Sequence, residues 1–155
     1  MKGGQNMHFT TLFLLKGEEL EDMSLSEIED MFCDRFCYCC GETKPKYEYW
    51  CDWFQIGGRW CDILQAKNGL HGNPSLFDKD FKAKKGTYSI ANIRDLTAPI
   101  NGKQIYAIAT KSRIYQEDGE WQIGGKVDKD KFHKMLDDIN NKRFDGVVAL
   151  IDCHD

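Results

Sequence analysis

Apolar residues along the chain fall into short stretches whose spacing separates strands from helices. Residues 8–15 (HFTTLFLL) are aromatic and β-branched and predict a first strand. An acidic linker, 16–22, follows. Ser24 with Glu27 three residues later is the reciprocal pattern of a capping box, and Met23 and Ile28 are placed to form a hydrophobic staple across it. Ile28, Met31, Phe32 and Phe36 then recur at helical spacing, with Cys39 and Cys40 as an extension, Gly41 as the stop and Pro45 beyond it. Residues 47–64 (YEYWCDWFQIGGRWCDIL) read as a strand that bends at Gly57-Gly58, because paired glycines inside a strand pattern mark a bulge, a turn or close approach by other atoms. Residues 66–86 read as a long irregular connection. Short strands are expected at 87–93, 104–110 and 113–116, with 120–123 pairing back as a hairpin around the turn at 117–119. Asp128 caps a second helix carrying Phe132, Met135, Leu136 and Ile139 on one face, and 146–153 (GVVALIDC) is a final strand, apolar enough to be central.

That order predicts one α+β domain over residues 1–155: a ferredoxin-like split βαβ layout with an antiparallel sheet, two helices on one face, and an insertion at 66–103. A length of 155 residues suits a single core, and 41% hydrophobic residues exclude a disordered chain. A net charge of −4 argues against coating nucleic acid through overall charge, while leaving a local basic face open. Seven cysteines, at 33, 37, 39, 40, 51, 61 and 153, form no secreted-type framework and point to a reducing compartment. No run approaches the length of a membrane span, so a cytoplasmic protein without membrane contact is expected.

The densest motif is Trp50 to Trp60, WCDWFQIGGRW. It resembles the core of a group of small, uncharacterised proteins from bacteria and their phages, which carry aromatic-Asp-Trp-aromatic-x-x-Gly-Gly-Arg-Trp and end in a strand closing with Asp-Cys-His, as Asp152-Cys153-His154 does here. The resemblance implies a ferredoxin-like domain, a mobile-element setting and a bacterial host cell, and it names no activity. The phrase FQIGGRW (54–60) is echoed by WQIGGKV (121–127), which reads as two similar bends at sheet ends rather than as a duplicated unit.

Several groups are candidates for chemistry. Trp50, Trp53 and Trp60 could form a stacking platform with Arg59 on a phosphate, although rings on both strand faces favour burial. Cys37-x-x-Cys40 looks like half a zinc knuckle, but cysteines on an apolar helix face are ordinarily small core residues, and no metal or other cofactor is assigned. Asp152 and His154 share one side of a strand and could act as an oriented base or as two metal ligands, with Asp52 and Arg59 completing a hydrolase site. Residues 17–34 hold eight acids, including Glu18, Glu19, Glu21, Asp22, Glu27 and Asp30, and no basic residue, whereas Lys82, Lys84 and Lys85 gather in the 79–85 loop, where they could touch nucleic acid. The leading expectation is a non-enzymatic phage accessory protein whose acidic surface blocks a host protein, such as a nucleic-acid-guided defence nuclease of the CRISPR type. A nucleotide- or single-strand-binding module and a small hydrolase are the alternatives.

Overall fold

The computed structural model describes residues 8–37, 49–76, 78, 80–116 and 129–154. The 120–123 hairpin, the Asp128 cap, the 121–127 echo and the Cys39-Cys40-Gly41 helix end lie outside them. Strand β1 (His8–Lys16) leads through a short 3₁₀ turn into helix α1 (Leu25–Phe36). The helix starts as the sequence requires: the Ser24 hydroxyl accepts from the Glu27 amide at 3.1 Å, and the Glu27 carboxylate accepts from the Ser24 amide at 3.2 Å. It ends at Cys37, whose backbone is extended. Strand β2 (Trp53–Gly58) stops at the double glycine instead of running through it, and a turn leads to β3 (Leu64–Gln65). The region expected as an insertion carries β4 (Asn73–Pro74), β5 (Thr87–Tyr88) and β6 (Ile90–Asn92). Then come β7 (Ala107–Ala109), β8 (Ile114–Gln116), helix α2 (Lys129–Asn140) and β9 (Gly146–His154).

Among the described residues, the main sheet has seven strands in the order β4-β2-β9-β1-β7-β8, with β6 also paired to β9, while β3 and β5 form a separate two-stranded ribbon. Strand β9 is central. It pairs antiparallel with β1 along its whole length, from His8 opposite His154 to Lys16 opposite Gly146. Its other edge is shared by β2, opposite 151–154, and β6, opposite 147–149. The sheet is mixed rather than antiparallel, because β1 and β7 run parallel.

The expectation of two helices on one face does not hold. Side chains alternate along β1 and β9. Phe9, Phe13, Val147, Ala149 and Ile151 pack with Ile28, Phe32 and Phe36 of α1. Leu12, Leu14, Val148 and Leu150 pack with Phe132, Leu136 and Ile139 of α2. The sheet therefore lies between the helices. Both faces of the two longest strands are apolar, and one helical layer would leave the other face in water. Ile90, Ala91, Ile93, Leu96 and Ile100, all from 66–103, complete the core.

A candidate metal centre at the end of the central strands

The final turn of sequence on β9 places Asp152 and His154 on the α2 side of the sheet, past the end of the apolar core. Register does the rest. His8 stands opposite His154 and Thr10 opposite Asp152 on β1, while Trp53 and Gln55 stand opposite the same pair on β2. Six residues thus form two rungs across three strands. His8 Nδ1 lies 3.0 Å from Asp152 Oδ1, and His154 Nε2 lies 3.6 Å from Asp152 Oδ2. One ligand atom from each of the three side chains lies within 4.8 Å of the other two. The Trp53 ring, 48% exposed, stacks on His154 with centroids 3.4 Å apart.

The double-glycine bend builds one wall of this centre. Gly58 adopts φ +53°, and a Cβ there would come within 2.2 Å of Asp152 Oδ2. Absence of that carbon lets the main chain close over the carboxylate, and the Arg59 amide donates to Oδ2 at 3.0 Å. Gly57, at φ +91°, faces a second network, where a Cβ would meet Ser89 Oγ at 3.0 Å and Cys61 Sγ at 3.1 Å. There the buried Asp62 carboxylate accepts from the Ser89 hydroxyl at 2.9 Å and the Gly72 amide at 3.2 Å, and lies 2.8 Å from His71 Nδ1. The two glycines therefore separate two buried carboxylates, and each leaves room for one.

Electrostatics single out the first network. Burial holds His154 below the ordinary histidine range, the neighbouring His8 and Arg59 act in the same direction, and Asp152 opposes them. His154 is thus neutral at pH 7. Its Nε2 is buried without a hydrogen-bond partner, as is Thr10 Oγ1 in the adjacent rung. If Nε2 carries the proton, Asp152 Oδ2 at 3.6 Å is its long-range acceptor; if it does not, two acceptors face each other, and a cation between them would satisfy both. His8 reaches Oδ1 at 3.0 Å and His154 reaches Oδ2 at 3.6 Å, near the roughly 3–3.5 Å expected between ligand atoms that share an ion at about 2.0–2.2 Å, while the three ligand atoms together lie within 4.8 Å. Two imidazoles and a carboxylate suit zinc, iron, manganese, cobalt or nickel better than calcium or magnesium.

The other expected site residues disperse. Trp50 is fully buried; its Nε1–H donates to Thr11 Oγ1 at 2.8 Å and its ring meets Phe9 edge-on, so it is core and not a platform. Trp60 is half-buried, and Arg59 is exposed and serves Asp152 through its main chain. Much of the acidic linker is neutralised from within the chain. Glu18 pairs with Lys111 at 2.8 Å, Glu19 pairs with Arg94, Glu21 reaches the same guanidinium at 3.5 Å, and Glu27 is the cap. Asp22 and Asp30 remain exposed, as do Lys82, Lys84 and Lys85. Cys37, Cys51, Cys61 and Cys153 are buried thiols, and burial pushes the Cys61 thiol up to about 11, far from a reactive thiolate. Cys33 is disulfide-bonded, which the reading of a reducing compartment does not anticipate. Sequence reading found Asp152 and His154 but missed His8, which becomes visible only once β1 and β9 are aligned end to end. Among the described residues, no helix is long and apolar enough to cross a membrane. No protein family, curated protein or solved structure matches the chain.

Proposed function

We propose that this protein binds a divalent transition-metal ion through His8, Asp152 and His154 and works as a small metal-dependent hydrolase. The observation that carries the reading is the convergence of these three side chains around a buried His154 Nε2 that lacks a hydrogen-bond partner. Three protein ligands leave coordination positions open, which is the pattern of catalytic rather than structural sites. An ion held there would supply a water acidified toward neutrality. The chain supplies the rest. Burial keeps His154 neutral and able to ligate at pH 7. The Arg59 amide fixes the rotamer of Asp152. The half-exposed Trp53 ring covers one side of His154 and offers a flat apolar surface at the rim. The Arg59 guanidinium, close enough to act on His154, suits an anionic or carbonyl group brought to the site.

The reading takes precedence over a blocking role for the acidic surface because Glu18, Glu19 and Glu21 already have cationic partners. Calorimetric titration of chelator-treated protein with Zn²⁺, Mn²⁺, Co²⁺, Ni²⁺ and, without oxygen, Fe²⁺ tests it. One ion per chain is expected, with loss of roughly 100-fold or more in affinity for Asp152→Asn or His154→Ala. Quenching of Trp53 fluorescence by Co²⁺ or Ni²⁺, absent in Trp53→Phe, locates the ion. A screen of activated esters and phosphodiesters with the loaded protein then tests hydrolysis. Failure of every ion to bind more tightly than about 100 μM would remove the proposal.

A further inference from the structure

Thr10 stands in the rung next to the candidate metal centre, directly opposite Asp152 on the central strand. Side chains alternate along β1, so Thr10 shares a sheet face with His8 on one side and with the apolar Leu12 and Leu14 on the other. The residue is 2% exposed, and its Oγ1 is buried without a hydrogen-bond partner. Its neighbour Thr11 supplies the contrast. On the opposite face, the Thr11 hydroxyl accepts from Trp50 Nε1 at 2.8 Å and from the Cys153 thiol at 3.4 Å, and so binds three strands of the core together. Thr10 has no such structural task. Nor does Asp152 depend on it: Oδ1 lies 3.0 Å from His8 Nδ1, and Oδ2 accepts from the Arg59 amide at 3.0 Å. A buried hydroxyl left unpaired costs free energy that an apolar side chain of the same shape avoids. Among the described residues, unpartnered buried side-chain atoms occur on Thr10, Gln116 and His154, and two of these three meet at this centre.

We propose that Thr10 is a positioning residue for the water held by an ion at this centre, its hydroxyl donating to that oxygen and favouring the hydroxide form. The proposal rests on metal binding by His8, Asp152 and His154 and adds a residue that binds no metal itself. Opposed side chains of an antiparallel pair have Cβ atoms about 4.5–5.5 Å apart, and diagonal ones about 7–8 Å or somewhat less. The Thr10 hydroxyl is therefore beside the Asp152 carboxylate without being bonded to it, and diagonal to His154. An ion satisfies the lone pair of His154 Nε2; an oxygen on that ion gives the Thr10 hydroxyl its acceptor. A neutral hydroxyl adds little as a ligand where two imidazoles and a carboxylate are already present. As a donor it discriminates: a hydrogen bond to a charged acceptor is about twice as strong as one to a neutral acceptor, so Thr10 stabilises hydroxide more than water.

The visible absorption of the full-length protein loaded with Co²⁺, followed against pH, tests the proposal. Thr10→Val removes the hydroxyl and keeps the β-branched shape, whereas Thr10→Ser keeps the hydroxyl. Thr10→Val is expected to raise the midpoint of the spectral change by about one pH unit, a roughly 10-fold loss of the hydroxide form at a given pH, and Thr10→Ser to restore most of it. Affinity for Co²⁺ is expected to stay within about 10-fold of wild type in both. Without metal, Thr10→Val is expected to unfold at the same urea concentration as wild type or a higher one, because the hydroxyl it removes has no partner there. Co²⁺ binding with an unchanged midpoint in Thr10→Val overturns the role of Thr10 and leaves the metal centre standing, whereas failure of the wild type to bind Co²⁺ overturns both. A fall of about 100-fold in Co²⁺ affinity in Thr10→Val makes Thr10 a ligand, and a clear fall in its metal-free urea midpoint gives the hydroxyl a structural partner; each overturns the proposal.

Discussion

Replacing Gly58 by Ala tests the proposition that the double-glycine bend exists to admit a buried carboxylate. Two costs follow from the structure. At φ +53° an alanine sits in the left-handed region, at about 1–2 kcal/mol. Its Cβ would also meet Asp152 Oδ2 at 2.2 Å, Cβ at 2.5 Å and Cγ at 2.8 Å. Asp152 cannot swing away freely, because it is 1% exposed and held by the Arg59 amide and His8. Overpacking of this kind costs about 1–3 kcal/mol, so Gly58→Ala is expected to lose roughly 2–5 kcal/mol of a total that is seldom above about 15 kcal/mol. Asp152→Gly is expected to cost about 2–5 kcal/mol by itself, since it leaves the Arg59 N–H without its acceptor and puts a glycine in the central strand. The informative quantity is the coupling. In the double variant every Asp152 side-chain atom that the new Cβ would strike has gone, so only the backbone part of the Gly58→Ala cost remains. Urea unfolding of the four proteins is therefore expected to show the double variant more stable than additivity predicts by about 1–3 kcal/mol. Additivity within about 0.5 kcal/mol would show that the glycine answers only to its own backbone geometry, and the account of the bend would fail.

Three further outcomes follow. Because burial lowers the proton affinity of His154 in the folded state, the unfolded chain binds the extra proton first; metal-free protein is expected to lose stability as pH falls through the unfolded histidine value near about 6.5, and urea midpoints from pH 5 to 8 should show this slope reduced in His154→Gln. Trp50→Phe loses ring volume and orphans one acceptor role of Thr11 Oγ1, so it is expected to cost about 2–4 kcal/mol in chemical denaturation while leaving metal affinity unchanged. Arg94→Ala breaks exposed pairs with Glu19 and Glu21 and should leave the urea midpoint almost unchanged, the more so at high salt; a clear drop in midpoint would mean that the linker before α1 is pinned more firmly than surface pairing allows.

The parts of the fold that were legible in the sequence are those written locally. The start of α1 needs only Ser24, Glu27 and the apolar stripe of Ile28, Phe32 and Phe36, all within thirteen residues. The central position of β9 follows from its unbroken apolar run. The same run held a signal for the second helical layer: Val147 and Val148, like Leu14 and Leu15, are apolar at both parities, and a strand apolar on both faces needs cover on both. Helix count and order do not carry that information, which is why a one-faced arrangement is the natural expectation from element order. Residues 66–86 read as a connection because β4 is two residues long, too short for periodicity to register, and is held by pairing to β2, whereas the strand expected at 87–93 is present as β5 and β6, paired to β3 and β9. At the candidate metal centre, Asp152 and His154 share a strand face and are visible as a pair. His8 lies 144 positions from Asp152, and nothing in its own neighbourhood marks it.

Why Gly57 and Gly58 are adjacent has the same long-range origin. Two consecutive residues at the end of a strand face opposite sides of the chain, so one bend can serve two separate networks only if both positions lack a side chain. Gly57 admits Ser89 and Cys61, which surround Asp62; Gly58 admits Asp152. Asp62 is itself in the left-handed region at φ 55°, an unusual conformation for a residue with a side chain, and the hydrogen bonds from Ser89 and Gly72 hold it there. The bend is thus fixed from both sides, once by a carboxylate that anchors the 66–90 region and once by the carboxylate of the candidate metal centre. A segment clamped in this way sets the Arg59 amide and the path of β2 that carries Trp53, and the precision of the His8, Asp152 and His154 cluster derives from this double anchorage rather than from the surface charges that dominate the sequence.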